Sequence, residues 1–499
     1  MNTLQNTLIR YMDAGFPILY LNTFEEEKAE IMIRSVIGGK KIMTWSMLGF
    51  IDEAENVRTD WELKDTLWNM LQGTVPIDRK VLILKDIHSF FSDPEIAGYL
   101  KALAQRINAG EEDFNMIFLS PVVTIPPELE KYITLLTMDY LTVPEIQKTI
   151  TDFCLEQELD SLHPALLSEL SLALKGLSEF EIRNILALAI SDDGEITRSD
   201  LSLIFEQKQQ IIRKSGILEM IPLRESMDDI GGLEKLKQWL HRKEKIFKQL
   251  DQAEAFGVDI PKGVLIAGMP GCGKSLNAKA AAKLFGVPLL RLDMGRIMGK
   301  YVGESEANMR RAISLAEAIS PCVLWIDELE KAFAGIGGEG GGADVTTRLF
   351  GTFLTWLQEK DSLAFVVATA NDIAKMPPEL LRKGRFDEIF YVGLPNVTER
   401  RTIFSIHIKK RRPQDLNQID IDKLVELTDG YSGADIEGVI KDSIEEVFSQ
   451  GKDMLTTEDI TQAIRNTHSL SEIMKDSMDK MKKLYQERKF KNASEGGKS

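Results

Sequence analysis

"GVLIAGMPGCGKSLNAKAAAKLF" fills residues 263–285. Its first six residues make an apolar run of strand length, and the last ten favour a helix. Between them stands G-x-x-x-x-G-K-S, from Gly268 to Ser275. In a strand–loop–helix setting this spacing has a mechanical meaning. The glycines let backbone N–H groups curl around a phosphate, and the helix N-terminus adds positive potential there. Lys274 then reaches the β- and γ-phosphates of a nucleotide, and Ser275 ligates Mg²⁺. A glycine-rich turn before a helix is the plainer alternative, and the complete motif in its required context argues against it.

Downstream, "VLWIDELE" (323–330) predicts a buried strand that ends at Asp327, placed to hold the magnesium shell. Glu328 follows, placed to activate an attacking water. An acidic pair at a strand end means little alone, but here a phosphate loop precedes it. "VVATAN" ends on Asn371, whose amide would orient the same water; an ordinary turn asparagine is the bland alternative. "PPELLRKGRFDE" (377–388) then sets Arg382 and Arg385 three apart. From that strand end they point away from their own γ-phosphate and, in a ring, toward a neighbour's. Arginine fingers of this kind are worth roughly 10³–10⁵ in rate, or about 4–7 kcal/mol of barrier. A hydrolase built this way needs an oligomer.

The word PPEL occurs a second time, in "TIPPELEKYI" (124–133). Five predicted strands surround each copy. The later set is 263–268, 288–293, 322–327, 364–370 and 388–393; the earlier is 17–23, 41–47, 81–86, 115–120 and 133–139. Val81 answers Val323, Pro126 answers Pro377, Tyr140 answers Tyr391, and "GLSEFEIRNIL" (176–186) answers "GYSGADIEGVI" (430–440). The offset jumps where the second copy carries the glycine-rich insert "AGIGGEGGGAD" (334–344). The chain therefore holds two modules of one α/β architecture, each a parallel sheet flanked by helices and followed by a helical lid.

Composition narrows the function. A net charge of −16 disfavours a phosphate-backbone binder, so nucleic acid is an unlikely partner. Cys154, Cys272 and Cys322 are far apart, which fits a reducing compartment rather than a disulfide framework or zinc cluster. The N-terminal stretch lacks the pattern of a cleaved leader, and no apolar run approaches a membrane span. A soluble intracellular protein is expected.

The second module resembles an AAA ATPase of the protein-remodelling branch, over about 225–470, through the phosphate loop, "VLWIDELE" and the arginine-bearing segment between Asn371 and Asp387. "DDIGGLEKLKQWL" (228–240) is similar to the family's lead-in, which implies adenine contacts from Ile230 and Gly231. The resemblance extends the nucleotide contacts to Gly268, Pro270, Gly271, Cys272, Gly273, Lys274, Ser275 and Leu276. "IFSIHIKK" (403–410) resembles the lid start and implies that His407 lies near the base or ribose; a lone surface or core histidine is the alternative. "GYSGADIEG" (430–438) implies that Gly433 and Ala434 lie against the nucleotide. One departure is Glu388, where family members commonly carry a basic residue. ATP and Mg²⁺ are the implied cofactors, and a homo-oligomeric, hexameric ring the implied assembly.

"GKYVGESE" (299–306) resembles the loop lining the central pore of such rings. That implies Tyr301 grips an unfolded polypeptide, with Val302 wedged beside it and Lys300 flanking; a surface tyrosine in a glycine turn is the alternative. The insert at 334–344 would be a second pore-side loop.

The first module has lost the chemistry. Where the second has its glycine loop, the first has "LNTFEEEKAE" (21–30), whose three glutamates repel phosphate. Lys85 and Asp86 stand for Asp327 and Glu328, and Lys131 and Thr134 for Arg382 and Arg385. This predicts a degenerate AAA-like platform; the opposite reading gives Asp86 and His88 some other chemistry. The expected layout is a degenerate α/β domain over 1–150, a lid-like subdomain over 151–215 and a linker over 216–227. An ATPase core follows over 228–395, then a lid over 396–470, and over 471–499 an amphipathic helix with a tail disordered in its last eight residues. A degenerate half before one AAA module resembles the AAA ATPases encoded in cyanobacterial and algal plastid genomes. The implied function is a ring ATPase that threads or remodels a protein client, in the cytoplasm or a plastid stroma. An ATP-dependent switch without threading is the alternative.

Overall fold

A computed structural model describes residues 3–23, 25–214, 216–297, 304–333, 342–488 and 490–495. The chain divides into two compact units, one of residues 1–141 and 178–184, the other of 142–177 and 185–499.

The first unit is built on β1 (Ile18–Asn22), β2 (Lys41–Ser46), β3 (Gly49–Ile51), β4 (Val57–Arg58), β5 (Lys80–Lys85), β6 (Phe114–Ser120) and β7 (Ile133–Thr137). Its sheet runs β4-β3-β2-β5-β6-β1-β7. β2, β5, β6, β1 and β7 are parallel, while β3 pairs antiparallel with both β2 and β4. Central strands buried on both faces read as unbroken apolar runs, which is why "VLIL" and "MIFL" carry no alternation. One face packs Leu67, Leu100 and Leu103; the other packs Leu8, Ala29 and Ile33.

The second unit is built on β8 (Leu218–Ile221), β9 (Gly263–Gly268), β10 (Leu289–Leu292), β11 (Cys322–Ile326), β12 (Ala364–Ala370), β13 (Glu388–Val392) and β14 (Lys491–Asn492). Its order is β14-β13-β9-β12-β11-β10-β8. The five central strands are again parallel, and β8 adds an antiparallel edge. In chain order within each module both sheets read 2-3-4-1-5. The repeat inferred from PPEL is thus a repeat of topology.

Sheet register corrects two of the inferred equivalences. Thr134 pairs with Leu19 within β7, on the rung that Glu388 holds opposite Val264, so Thr134 is the counterpart of Glu388. Arg385 precedes β13 in a stretch the first copy lacks. Likewise Thr137, opposite Asn22, holds the rung of Tyr391 opposite Ala267, and Tyr140 lies beyond it. An offset set at PPEL cannot see three extra residues inserted just after it.

The tail is the other difference. Lys491 and Asn492 pair with β13, Ala493 is fully buried, and its carbonyl accepts from Lys235 N at 3.0 Å and Leu236 N at 3.3 Å. It thereby satisfies free N–H groups at the start of the helix Glu234–Lys248. Polar composition suggested disorder here; backbone pairing and one small buried side chain prevailed.

Four helices, Val397–Arg411, Ile421–Leu427, Gly433–Ser449 and Thr457–Arg465, form a lid around Phe404, Leu424, Ile436, Ile440 and Ile460. Capping boxes at Asn396, Ser432 and Thr456 start three of them, each cap contributing about 1 kcal/mol. In the same unit, the turn at Gly176 lies against Ile319. Gly176 has φ +81°, and a Cβ there would come within 2.5 Å of Ile319 Cγ1.

Candidate nucleotide site

The helix Lys274–Phe285 begins directly at Gly273, whose φ of +80° a side chain would strain. Gly268 is tighter still, because a Cβ would sit 2.0 Å from Val392 O. Gly271, at φ +72°, lies under the lid, where a Cβ would come 3.0 Å from that of Ala434. Each motif glycine thus answers a backbone angle or a close approach.

The loop opens into a cavity of about 330 Å³. Ile230, Gly231, Gly271, Cys272, Gly273, Lys274, Ser275, Leu276, Asp327, Glu328, Asn371, His407, Gly433 and Ala434 all line it. Gly268 and Pro270 belong to the loop behind that lining. Lys274 is 6 % exposed, and its ammonium donates to Gly268 O at 3.0 Å and Met269 O at 2.6 Å. Burial depresses its pKa, against the opposing pull of Cys272, Glu330, Asp327 and Glu328. A buried cation held by carbonyls, among the described residues without an ion pair, suits an incoming anion.

Ser275 Oγ donates to Asp327 Oδ1 at 3.0 Å, and the Thr369 hydroxyl donates to the same oxygen. Glu328, at φ +50°, turns the chain as it leaves β11. Its Oε1 accepts from Asn371 Nδ2 at 3.2 Å, its Oε2 pairs with Lys331, and its own N–H donates to Thr369 Oγ1 at 3.1 Å. Glu330 accepts the Asn371 N–H at 3.0 Å on one oxygen and leaves the other buried without a partner; burial raises its pKa. Burial likewise pushes the Cys272 thiol up to about 12, so it stays protonated. Among the described residues, no cluster of three His, Cys, Asp or Glu side chains is placed to hold a metal. Ser275 and Asp327 instead supply two hard oxygen donors, the number Mg²⁺ takes from protein when phosphates and water complete its shell. The residues present fit a nucleoside triphosphate with Mg²⁺.

His407 meets Arg411 Nη1 at 3.2 Å and Glu437 at 4.0 Å, and burial lowers its pKa. Neutral imidazole is therefore favoured, a flat partner for a base or ribose. Sequence reasoning missed Glu399, which is 6 % exposed and accepts the Leu233 N–H at 3.0 Å, tying the lead-in loop to the lid. It missed Thr369 too. Thr369 has no local mark in sequence, since its partners lie more than forty residues away; Glu399 is legible as the third residue of the Asn396 capping box, but not as the partner of Leu233.

Arg382 and Arg385 do not reach this cavity. Arg382 lines a separate groove with Lys262, Asp387 and Phe490, while Arg385 donates to Glu379 O. Lys300, Tyr301 and Val302 lie outside the described residues, as does the insert over 334–341.

The first unit shows what the same frame becomes with other residues. Three residues (23–25) join β1 to the helix Glu26–Val36, against five (269–273) in the second unit. Lys85, at the Asp327 position, pairs with Glu30 at 3.0 Å and Glu26 at 3.8 Å. Asp86 keeps the left-handed turn of Glu328, with φ +51°. The helix opening at Glu179 corresponds to the one opening at Gly433, and each follows a serine, Ser178 or Ser432, joined by hydrogen bonds to an acidic residue three positions on. At the first of these helix starts Glu25 Oε1 accepts the Glu179 N–H at 2.8 Å, while Lys28 lies 3.7 Å from Glu179. A carboxylate of the chain itself sits where the second unit keeps helix N–H groups beside its phosphate loop.

The second unit's frame, phosphate loop and lid are those of a nucleotide hydrolase of the AAA class. Residues 264–394 match the model for the ATPase family associated with various cellular activities (AAA), and 418–462 match the AAA+ lid domain. Residues 4–138 and 144–215 match the N-terminal and second domains of SpoVK-like AAA ATPases. The chain belongs to the AAA ATPases. It is 39 % identical over 470 residues to the AAA domain-containing protein ycf46 of Guillardia theta, covering 92 % of this chain and 90 % of that one. It is 37 % identical to ycf46 of Pyropia yezoensis, covering 97 % and 98 %. A cell division cycle protein 48 homolog of Archaeoglobus fulgidus matches at 30 % identity, over 59 % of this chain and 40 % of that one. The resemblance in layout to algal AAA proteins thus spans both modules, while the likeness to the larger 48-type ATPases is partial.

Proposed function

We propose that this chain is a Mg²⁺-dependent ATPase that works as a homo-oligomeric, hexameric ring and remodels or threads a protein client, with a first module that does not hydrolyse ATP. The gathering of a phosphate loop, Asp327, Glu328, Asn371 and lid residues around one cavity carries the reading. Lys274 and the loop N–H groups bind the β- and γ-phosphates. Ser275 and Asp327 would hold Mg²⁺, which when bound neutralises charge on the phosphate oxygens. Glu328 takes the proton of the attacking water, and Asn371 holds that carboxylate and the water in line. Ile230, Gly231, His407, Gly433 and Ala434 enclose base and ribose. Arg382 and Arg385, away from their own cavity, act on the neighbour's γ-phosphate. Lys300, Tyr301 and Val302 line the pore.

Support for a silent first module is electrostatic. Lys85 with Glu26 and Glu30 reverses the charges of the second unit's site, the joining loop is shorter, and Glu25 already satisfies the lid helix. No helix among the described residues is long and apolar enough to cross a membrane, and a soluble compartment, cytosol or plastid stroma, is the proposed location.

The test is ATPase activity per subunit against protein concentration. Activity should rise with concentration, Glu328→Gln and Arg385→Ala should each be inactive, and added Arg385→Ala should poison the wild type. Flat activity together with a working Arg385→Ala would sink the shared site. Tyr301→Ala separates threading from switching: it should retain ATPase and lose remodelling.

A further inference from the structure

Thr369 is a single hydroxyl in an otherwise apolar strand, and it is 1 % exposed. It lies on the rung of β12 opposite Ile266 of β9, two residues before Asn371 and so on the same face of the sheet. Its Oγ1 donates to Asp327 Oδ1 and accepts the Glu328 N–H at 3.1 Å. One side chain therefore touches both neighbouring acidic residues, the first through its carboxylate and the second through its backbone. Glu328 sits at φ +50°, uncommon for a residue with a side chain; the matching Asp86 of the first unit holds φ +51° with its N–H on the Leu119 carbonyl at 2.9 Å, whereas here the partner is the Thr369 hydroxyl. Ser275 donates to the same Asp327 oxygen, leaving Oδ2 the freer of the two.

We propose that Thr369 is a positioning residue for hydrolysis: its hydroxyl orients the Asp327 carboxylate and locks the turn that aims Glu328 at the attacking water. The inference rests on the roles given above to Asp327 and Glu328. A hydroxyl suits the task because one atom donates and accepts at once. Valine has the same shape and fits a β-strand but leaves the Glu328 N–H without its partner.

The experiment compares Thr369→Val, Thr369→Ser and Glu328→Gln in the full-length chain. It measures kcat, KM for ATP, the Mg²⁺ concentration at half-maximal rate, and binding of a fluorescent ATP analogue. Thr369→Val should lower kcat at least tenfold and raise the Mg²⁺ midpoint severalfold, with analogue binding and thermal midpoint close to wild type. Thr369→Ser should restore most of the rate. The proposal falls if Thr369→Val keeps the wild-type rate and Mg²⁺ midpoint. It falls equally if Val and Ser are impaired alike, since that marks packing rather than hydrogen bonding. An active Glu328→Gln removes the site reading itself and this inference with it, whereas an inactive Glu328→Gln beside a normal Thr369→Val removes only the inference.

Discussion

Lys208 is 3 % exposed, and its ammonium donates to Ala173 O at 2.8 Å. Burial brings its pKa down to about 7. An unfolded lysine titrates near ~10.4. Between those values the unfolded chain binds the extra proton, so this residue's contribution to stability rises with pH from about 7 to 10 and is lowest below 7. Lys208→Met should therefore stabilise the chain by about 2 kcal/mol at pH 7, after the cost of an unpaired Ala173 carbonyl. Thermal melts at several pH values should show that gain fading toward pH 10; a gain constant with pH would mean Lys208 is charged when folded. Such a residue is silent in sequence, where "EQKQQ" looks like a solvated face. The phosphate loop, Asp327 and Glu328 were legible because their chemistry fixes both residue type and spacing. Thr369 was not, nor was the bond from Leu233 to Glu399, because those partners are set by strand register and lid closure.

At the scale of elements, long apolar strands were readable and short or polar ones were not. All ten strands predicted from apolar runs are present, with ends shifted by a residue or two. β3, β4, β8 and β14 were invisible: runs of two to four residues hold too little pattern. β14 offers a direct test. A chain ending after Arg488 loses the Ala493 bonds to Tyr391, Lys235 and Leu236 and bares the β13 edge. The second unit should lose about 3 kcal/mol, at ~1 kcal/mol for each bond, visible as a drop in its thermal midpoint; an unchanged midpoint would mean the tail only rests on the sheet. The helix opening at Glu179 offers another. Glu25→Ala should speed amide exchange at residues 178–184 about tenfold, as expected for one hydrogen bond lost, while peptides around Ser432 stay as they were. Uniform acceleration across the first unit would point to general destabilisation instead.

For the whole molecule, PPEL and its neighbours revealed two copies of one frame, and the five parallel strands of each sheet agree in order. The equivalences failed only past the three added residues before β13, since a constant offset carries no memory of a local insertion. The ring proposal is tested at this scale too: Glu328→Gln saturated with ATP should sediment as an assembly of about six subunits, held by bound but unhydrolysed nucleotide. A monomer under those conditions would rule out a site shared between neighbours. The pairing of Lys85 with Glu26 and Glu30, and of Glu25 with the Glu179 N–H, bears on reversal. On the proposed reading, the two copies have parted in chemistry while keeping one frame. Restoring lysine at 26 alone would set it against Lys85; restoring aspartate at 85 alone would set it against two glutamates. A longer loop would first have to expel Glu25. Each single reversal would thus set a charge against its neighbours, and on the proposed reading the first copy's own ion pairs stand between it and that chemistry.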